Sequence, residues 1–275
     1  MSSDTKEKDF QNHIVSYLVS HGYKHRGTDK YVSNVCLDVE TVLSFVKNTQ
    51  QKKWSKFVKI YGSKAESKFL RLLSNEIKSK GTIHVLREGI RDVGVHFKLF
   101  YSKPNNYLNP DLFKNYEENI FSVIDELEYQ DKDNGNRLDL TVFINGLPVI
   151  TVELKDTFSQ GVECAVNQYK MDRDSREQLF KNCLVHFAMS DMKIFMTTKL
   201  QGVKTKFLPF NRGIDNPEIE DEYRTAYLYV TVLSKDNLSK LISNYIFKED
   251  DTYIFPRYHQ LDCVNKLTES CVPGT

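Results

Sequence analysis

Apolar residues recur every three or four positions along much of the first third of the chain. Phe10, Ile14 and Leu18, with Tyr17 beside them, line one face of a helix over residues 9–20. The same spacing predicts helices over 38–47, 51–60 and 64–79, the last stopped by Gly81. Alternation then replaces it, predicting strands over 82–88 and 93–101 on either side of residues 89–92. The loop KPNNYLNPD breaks the pattern at Pro104 and Pro110. Beyond it, 112–119 reads as helical or mixed and 120–129 as a strand, followed by the polar loop QDKDNGN. Residues 161–172 read as a helix, and 184–189, 193–198 and 226–233 as strands. Helices and strands mix along the whole chain. This predicts an α/β (or α+β) domain with a central mixed β-sheet flanked by helices.

The main anomaly lies in residues 136–156, NRLDLTVFINGLPVITVELKD. Leu138, Leu140, Val142 and Ile144 alternate along one strand and Ile150, Val152 and Leu154 along the next, so one face of a hairpin is core. Asp139, Glu153 and Lys155 share its other face. A two-residue turn at Asn145-Gly146 would set Asp139 against Val152, the wrong parity. A three-residue loop with Gly146 left-handed sets Asp139 against Glu153, and the hydrophobic alternation requires this register. Two carboxylates and an ammonium group on adjacent strands suit a hard divalent cation and a phosphate. Mg²⁺ takes oxygen ligands, which Asp139 and Glu153 would supply with help from the carbonyl of Leu154. Water activated there would attack phosphorus, and Lys155 would stabilise the developing charge or orient the water. The acidic-x-Lys pattern also occurs at Asp4-Lys6, Glu66-Lys68 and Asp191-Lys193, but without flanking apolar strands and an upstream hairpin partner.

Composition narrows the class. The 275 residues are 40% hydrophobic, enough for a sizeable core. No apolar run reaches about 18 residues and MSSDTKEKDF is polar, so neither a membrane span nor a signal peptide is expected. Cys36, Cys164, Cys183, Cys263 and Cys271 are odd in number and widely spaced, which predicts a reducing, cytoplasmic setting without a disulfide framework or a zinc site. The net charge of +1 argues against a protein that grips a duplex unaided. Basic residues are concentrated locally. Residues 47–71 carry eight lysines and arginines against the single acid Glu66, with Trp54, Phe57 and Tyr61 interleaved at helical spacing.

The hairpin, with its NGLP turn and VELK ending, resembles the nuclease domain of the restriction subunit of type I restriction-modification enzymes. YGSKAESKFLRLLSNEI, GTIHVLREGIRDVGVHFKLFY, AVNQYKMDRD, LVHFAMSDMKIFMTTKL, KTKFLPFNRG and FPRYHQLDCV resemble further segments of that family, in its order. The resemblance implies a restriction-endonuclease-like PD-(D/E)XK core. Its site residues would be Asp139, Glu153 and Lys155 as catalytic groups, with Mg²⁺ on Asp139 and Glu153 and with Glu7 near the metal. It also implies DNA contacts on the following helix, where the family carries Gln-x-x-x-Tyr. Gln168 matches the glutamine, but Asp172 stands at the tyrosine's place, so Tyr169, Lys170 and Arg173 become the remaining candidates. FPRYHQ resembles the adenine-recognition segment that opens a superfamily 2 motor, with Gln260 on the nucleotide, yet no G-x-x-x-x-G-K-[ST] follows. The expected division is a nuclease domain over 1–245 and a linker with the start of a truncated motor over 246–275, ATP belonging to the full-length subunit alone. The implied partners are double-stranded DNA and methyltransferase and specificity subunits. The competing readings are another nuclease of this fold and a non-catalytic DNA-guiding or docking module.

Overall fold

The structure is a computed structural model describing residues 3–270, apart from 105–107, 131–135, 157–160, 214–215 and 219–221. Most of the expected QDKDNGN loop and the tail 272–275 therefore lie outside the described residues.

The first half of the chain is mostly helical. Helix α1 (Ser3–Ser20) buries Phe10, Ile14 and Leu18, the face its spacing marks. Short strands β1 (Lys24–His25), β2 (Tyr31–Val32) and β3 (Leu37–Asp38) follow. Asp38 then caps α2 (Val39–Thr49), its Oδ1 accepting from the Thr41 amide at 3.0 Å, as a helix start requires. Helices α3 (Gln51–Tyr61) and α4 (Ala65–Lys80) turn their aromatic residues inward, while Lys52, Lys56, Lys59 and Lys64 of the basic stretch stay exposed. Phe57, Phe69 and Phe97 meet at ring-centroid distances of 5.3–6.4 Å, beside Trp54.

Two expected strands are helices. Residues 82–88 form α5 (Thr82–Glu88) despite their β-branched content, because glycines in the left-handed region stop the chain at both ends (Gly81 φ +90°, Gly89 φ +69°) and burial falls on Ile83 and Leu86, three apart. Arg87 secures α5 by donating from Nε to Ile242 O at 2.5 Å. Residues 226–233, apolar on both faces and so without a readable period, contain a π-helical turn, Leu228–Val232. The expected strand 93–101 shrinks to β5 (Val95–Phe97), paired in a hairpin with β4 (Ile90–Asp92).

After α6 (Pro110–Glu117), the chain builds the central sheet from β6 (Phe121–Glu128), β7 (Arg137–Ile144) and β8 (Leu147–Lys155), then β9 (Val185–Ser190), β10 (Ile194–Thr197) and β11 (Leu208–Pro209). The order is β1-β6-β7-β8-β9-β10-β11, parallel at β1/β6 and β8/β9 and antiparallel elsewhere. This is the mixed sheet the pattern predicts. Between β8 and β9 the chain crosses over through α7 (Val162–Asn167), a π-helical turn (Gln168–Asp172) and α8 (Gln178–Asn182). These elements cover one sheet face, and a larger cluster from α1 to α5 covers the other.

The hairpin differs from expectation in two ways. Its loop has two residues, not three. Asn145 (φ 50°) and Gly146 (φ 82°) are both left-handed, and Ile144 pairs with Leu147. The register is corrected further along: Phe143 pairs with Pro148 but Val142 with Ile150, leaving Val149 as an extra residue. The face that carries the charges is also covered in part by the β8–β9 crossover, which buries Glu153 while Asp139 and Lys155 stay half-buried. Glu153 has no exposed surface. The turn itself lies inside the protein. Asn145 Oδ1 accepts from the Ile120 amide at 2.7 Å, its Nδ2 donates to Leu99 O at 2.8 Å, and the Asp38 amide donates to Gly146 O at 2.9 Å.

Towards the end of the described residues, β12 (Phe247–Glu249) and β13 (Thr252–Ile254) form a hairpin whose Tyr253 is core, and the adjoining Phe255 meets Phe187 edge to face at 6.0 Å. Helix α9 (Lys235–Lys240) precedes this hairpin and α10 (Tyr258–Ser270) follows it. Phe210 of FLPFNRG is likewise buried, 5.1 Å from Phe187.

Candidate active site

Leu140 faces Val152 in the β7/β8 ladder, so the corrected register carries Asp139 opposite Glu153 one step further on. The shift at Val149 is what returns both carboxylates to one face. Asp139 Oδ2 accepts from the Leu154 amide at 2.6 Å, and the Asp139 carbonyl accepts from Gln11 Nε2 at 2.6 Å. Gln11 lies on α1 one turn beyond Glu7, and the two reach neighbouring central strands, Gln11 at Asp139 of β7 and Glu7 at Lys155 of β8. Lys155 Nζ donates to Glu7 Oε1 at 2.9 Å. Asp139, Glu153, Lys155 and Glu7, the last 148 positions before Lys155 in the sequence, are joined by charge and hydrogen bonding and form one constellation.

Burial dominates its electrostatics. Removal from water pushes the Asp139 carboxyl up to about 6, although the Leu154 amide and the Lys155 ammonium pull the other way. Burial raises Glu153 well above the usual carboxylate range, repulsion from Asp139 adds to this, and Arg173 opposes both. Burial works against the Lys155 charge too, but Glu7, Asp139 and Glu153 outweigh it and raise the lysine. Glu153 Oε1 accepts from Arg173 Nε at 2.7 Å, whereas its Oε2 is buried without a hydrogen-bond partner among the described residues. An unmatched buried carboxylate oxygen beside a second, half-buried carboxylate is costly in the protein alone. A divalent cation is the species that would compensate it, and hard oxygen donors are what Mg²⁺ takes. Among the described residues no three His, Cys, Asp or Glu side chains converge as a complete cage. The chain thus offers two carboxylates, and the remaining oxygen ligands of a cation would be water or phosphate oxygens.

The helix after β8 is arranged differently from expectation. Gln168 and Lys170 are half-buried, but Tyr169 is fully buried and Arg173 is only 5% exposed, so neither of the latter two presents its side chain for DNA contact. The π-helical turn sets both on the inward face, four residues apart. Tyr169 Oη shares a hydrogen bond with Thr151 Oγ1 at 2.8 Å, and that hydroxyl is 2.7 Å from His186 Nδ1. Arg173 reaches Glu153 and also donates from Nη2 to Arg137 O at 2.5 Å. Asp172 faces solvent. At the far end of the chain, Gln260 is exposed, its Oε1 accepting from the Arg257 amide at 2.8 Å as a cap on α10. Tyr169 and Arg173, both expected on the DNA, are both buried here, and Arg173 serves as the partner of Glu153. The signal for Arg173 was the i, i+4 spacing to the apolar ring of Tyr169.

The family model described as type I restriction enzyme R protein N terminus matches residues 4–204 of this chain. A protein of Methanocaldococcus jannaschii bearing the name type I restriction enzyme MjaVIIIP endonuclease subunit is 30% identical over 173 residues, covering 57% of this chain and 15% of that subunit. The type I restriction enzyme EcoprrI endonuclease subunit of Escherichia coli is 27% identical over 274 residues, covering 95% of this chain and 80% of the relative. The HindI endonuclease subunit of Haemophilus influenzae is 25% identical over 182 residues, covering 59% and 16%. The chain thus spans about a sixth of the length of two of these relatives.

Proposed function

Because this chain belongs to the family of type I restriction enzyme R protein N termini, we propose that it is a Mg²⁺-dependent endonuclease domain cutting the phosphodiester backbone of double-stranded DNA. Asp139 and Glu153 would hold the cation. The observation that carries the reading is the buried Glu153 Oε2 without a hydrogen-bond partner among the described residues, on a carboxylate that interacts with the half-buried Asp139 and with the Lys155 ammonium. A cation bound there supplies Lewis-acid polarisation and charge stabilisation at the phosphate. Lys155, held by Glu7, presents a fixed positive charge to the charge that develops during cleavage. Gln168 and Lys170, half-buried on the crossover, supply hydrogen bonds and charge to the DNA backbone.

The near-neutral charge favours a subunit that receives DNA from partners, namely methyltransferase and specificity subunits acting in the cytoplasm. No helix among the described residues is long and apolar enough to cross a membrane. A guiding module would have no use for an unmatched buried carboxylate, so the nuclease reading is preferred. The test has two arms. Calorimetry with Mn²⁺ should show binding that Asp139→Ala abolishes. In the assembled enzyme, Asp139→Ala, Glu153→Ala and Lys155→Ala should end cleavage while ATP-driven translocation continues. Mn²⁺ binding unchanged in Asp139→Ala, or translocation lost together with cleavage, would overturn the reading.

A further inference from the structure

The two oxygens of the Glu153 carboxylate have different surroundings. Oε1 is held by Arg173, while Oε2 is buried and bare among the described residues. Arg173 is itself fixed from several directions. Its Nη2 donates to Arg137 O, its guanidinium lies 6.0 Å from the Tyr129 ring centroid, and its side chain is 3% exposed. It follows directly on the π-helical turn, so it cannot swing outward without disturbing that turn and stranding Glu153 in the interior. A carboxylate tied at one oxygen in this way presents a single oxygen to anything that binds beside it.

We propose that Arg173 is a positioning residue that confines Glu153 to one-oxygen coordination and thereby makes the site prefer a small octahedral cation over Ca²⁺. The inference rests on the reading of Asp139 and Glu153 as a cation site. Its physical basis is the difference in coordination habit. Ca²⁺ takes about six to eight oxygens and readily accepts both oxygens of one carboxylate, whereas Mg²⁺ and ions of its kind keep strict octahedral geometry with few protein carboxylates. With Arg173 in place, the second Glu153 oxygen is withheld and the site offers too few protein ligands to satisfy Ca²⁺ well. Without it, Glu153 is free to rotate and chelate. The lost positive charge would strengthen binding of every divalent ion alike, so the informative quantity is the ratio of affinities rather than either affinity.

The experiment is calorimetric titration of the wild type, Arg173→Met and Arg173→Lys with MgCl₂, MnCl₂ and CaCl₂, with thermal melts to establish that each protein is folded. The expected result is that Arg173→Met improves Ca²⁺ affinity relative to Mg²⁺ and Mn²⁺ by about tenfold. Arg173→Lys, which keeps the charge but not the planar fork, should shift the ratio in the same direction by less, and it carries the test if Arg173→Met does not fold. A folded variant whose Ca²⁺/Mg²⁺ ratio equals that of the wild type would overturn this inference alone. A wild-type protein that binds none of the three ions would overturn both it and the functional reading. A merely structural role for Arg173 predicts a lowered melting temperature with an unchanged ratio.

Discussion

Asp139→Asn is expected to make the cation-free protein more stable at neutral pH, a direction opposite to that of most substitutions at buried polar sites. Burial raises the Asp139 carboxyl from 3.8 to about 6, so the folded protein holds this proton more tightly than the unfolded chain does. Stability associated with the neutral carboxyl is fully present below pH 4 and is lost as the pH rises through 6. The gap is roughly two pH units, and at about 1.4 kcal/mol each the ionised group costs about 3 kcal/mol at pH 7.5. Asparagine keeps an oxygen to accept from the Leu154 amide and carries no charge. It also removes the repulsion that Asp139 exerts on Glu153. Part of the benefit is offset by the loss of an attractive partner for Lys155, leaving an expected gain of about 1–3 kcal/mol. For a chain of this size class, that corresponds to roughly 2–4 °C in Tm per kcal/mol. Urea unfolding of both proteins from pH 4 to 7.5, without divalent ions, would measure it. The two stabilities should converge near pH 4 and separate with rising pH. Added Mg²⁺ should stabilise the wild type and leave Asp139→Asn unchanged. A variant less stable than the wild type at pH 7.5, or a difference that does not vary with pH, would refute the reasoning.

Three other outcomes are expected. Gly146→Ala should lower stability by about 2 kcal/mol or more in denaturant titrations, because a Cβ there would lie 2.4 Å from Asp38 O on a residue with positive φ; a neutral effect would mean the turn can move. Tyr169→Phe should cost about 1 kcal/mol through its lost hydroxyl contact with Thr151 and leave DNA cleavage by the assembled enzyme intact; lost cleavage in a stable protein would return Tyr169 to the DNA. Gln168→Ala should weaken cleavage in the assembled enzyme while Mn²⁺ affinity and melting temperature stay near wild type, and normal cutting would reduce this half-buried residue to scaffold.

What the sequence disclosed depended on whether local pattern and tertiary burial agreed. Helices α1 to α4 and strands β6 to β10 were legible because each has a clear period and stop signals. Residues 82–88 were misread because β-branched side chains favour extended backbone locally, while two left-handed glycines and contact with Ile242 impose a helix. The opposition of Asp139 and Glu153 was legible from parity alone. The means was not, since a bulge leaves no mark in an apolar run and Val149 looks like any strand residue. Burial of Glu153 was hidden for another reason. The elements that cover it lie in the crossover, after the hairpin ends, and a strand's own alternation cannot report what will pack on its polar side. Arg173 was misjudged by the same blindness: a cation on an otherwise polar helix reads as exposed until its buried partner is known.

The single unpaired residue at Val149 has a consequence for how this segment can change over generations. Side chains on either flank can be exchanged one at a time with graded effects. Gain of one residue between the Asn145-Gly146 turn and Glu153 is another matter, because an unabsorbed insertion would carry every following side chain to the opposite face, whereas loss of Val149 would leave Ile150 opposite Val142 and keep the parity. After such an insertion Glu153 and Lys155 would point among the leucines and valines of the larger core, and Leu154 would take their place. Relatives should therefore tolerate varied residues across this stretch but not added ones. In a library of single-codon insertions, positions 150–152 should be as intolerant as deletion of Glu153 itself, although none of them carries a catalytic group, while deletion of Val149 should be the length change that the ladder absorbs.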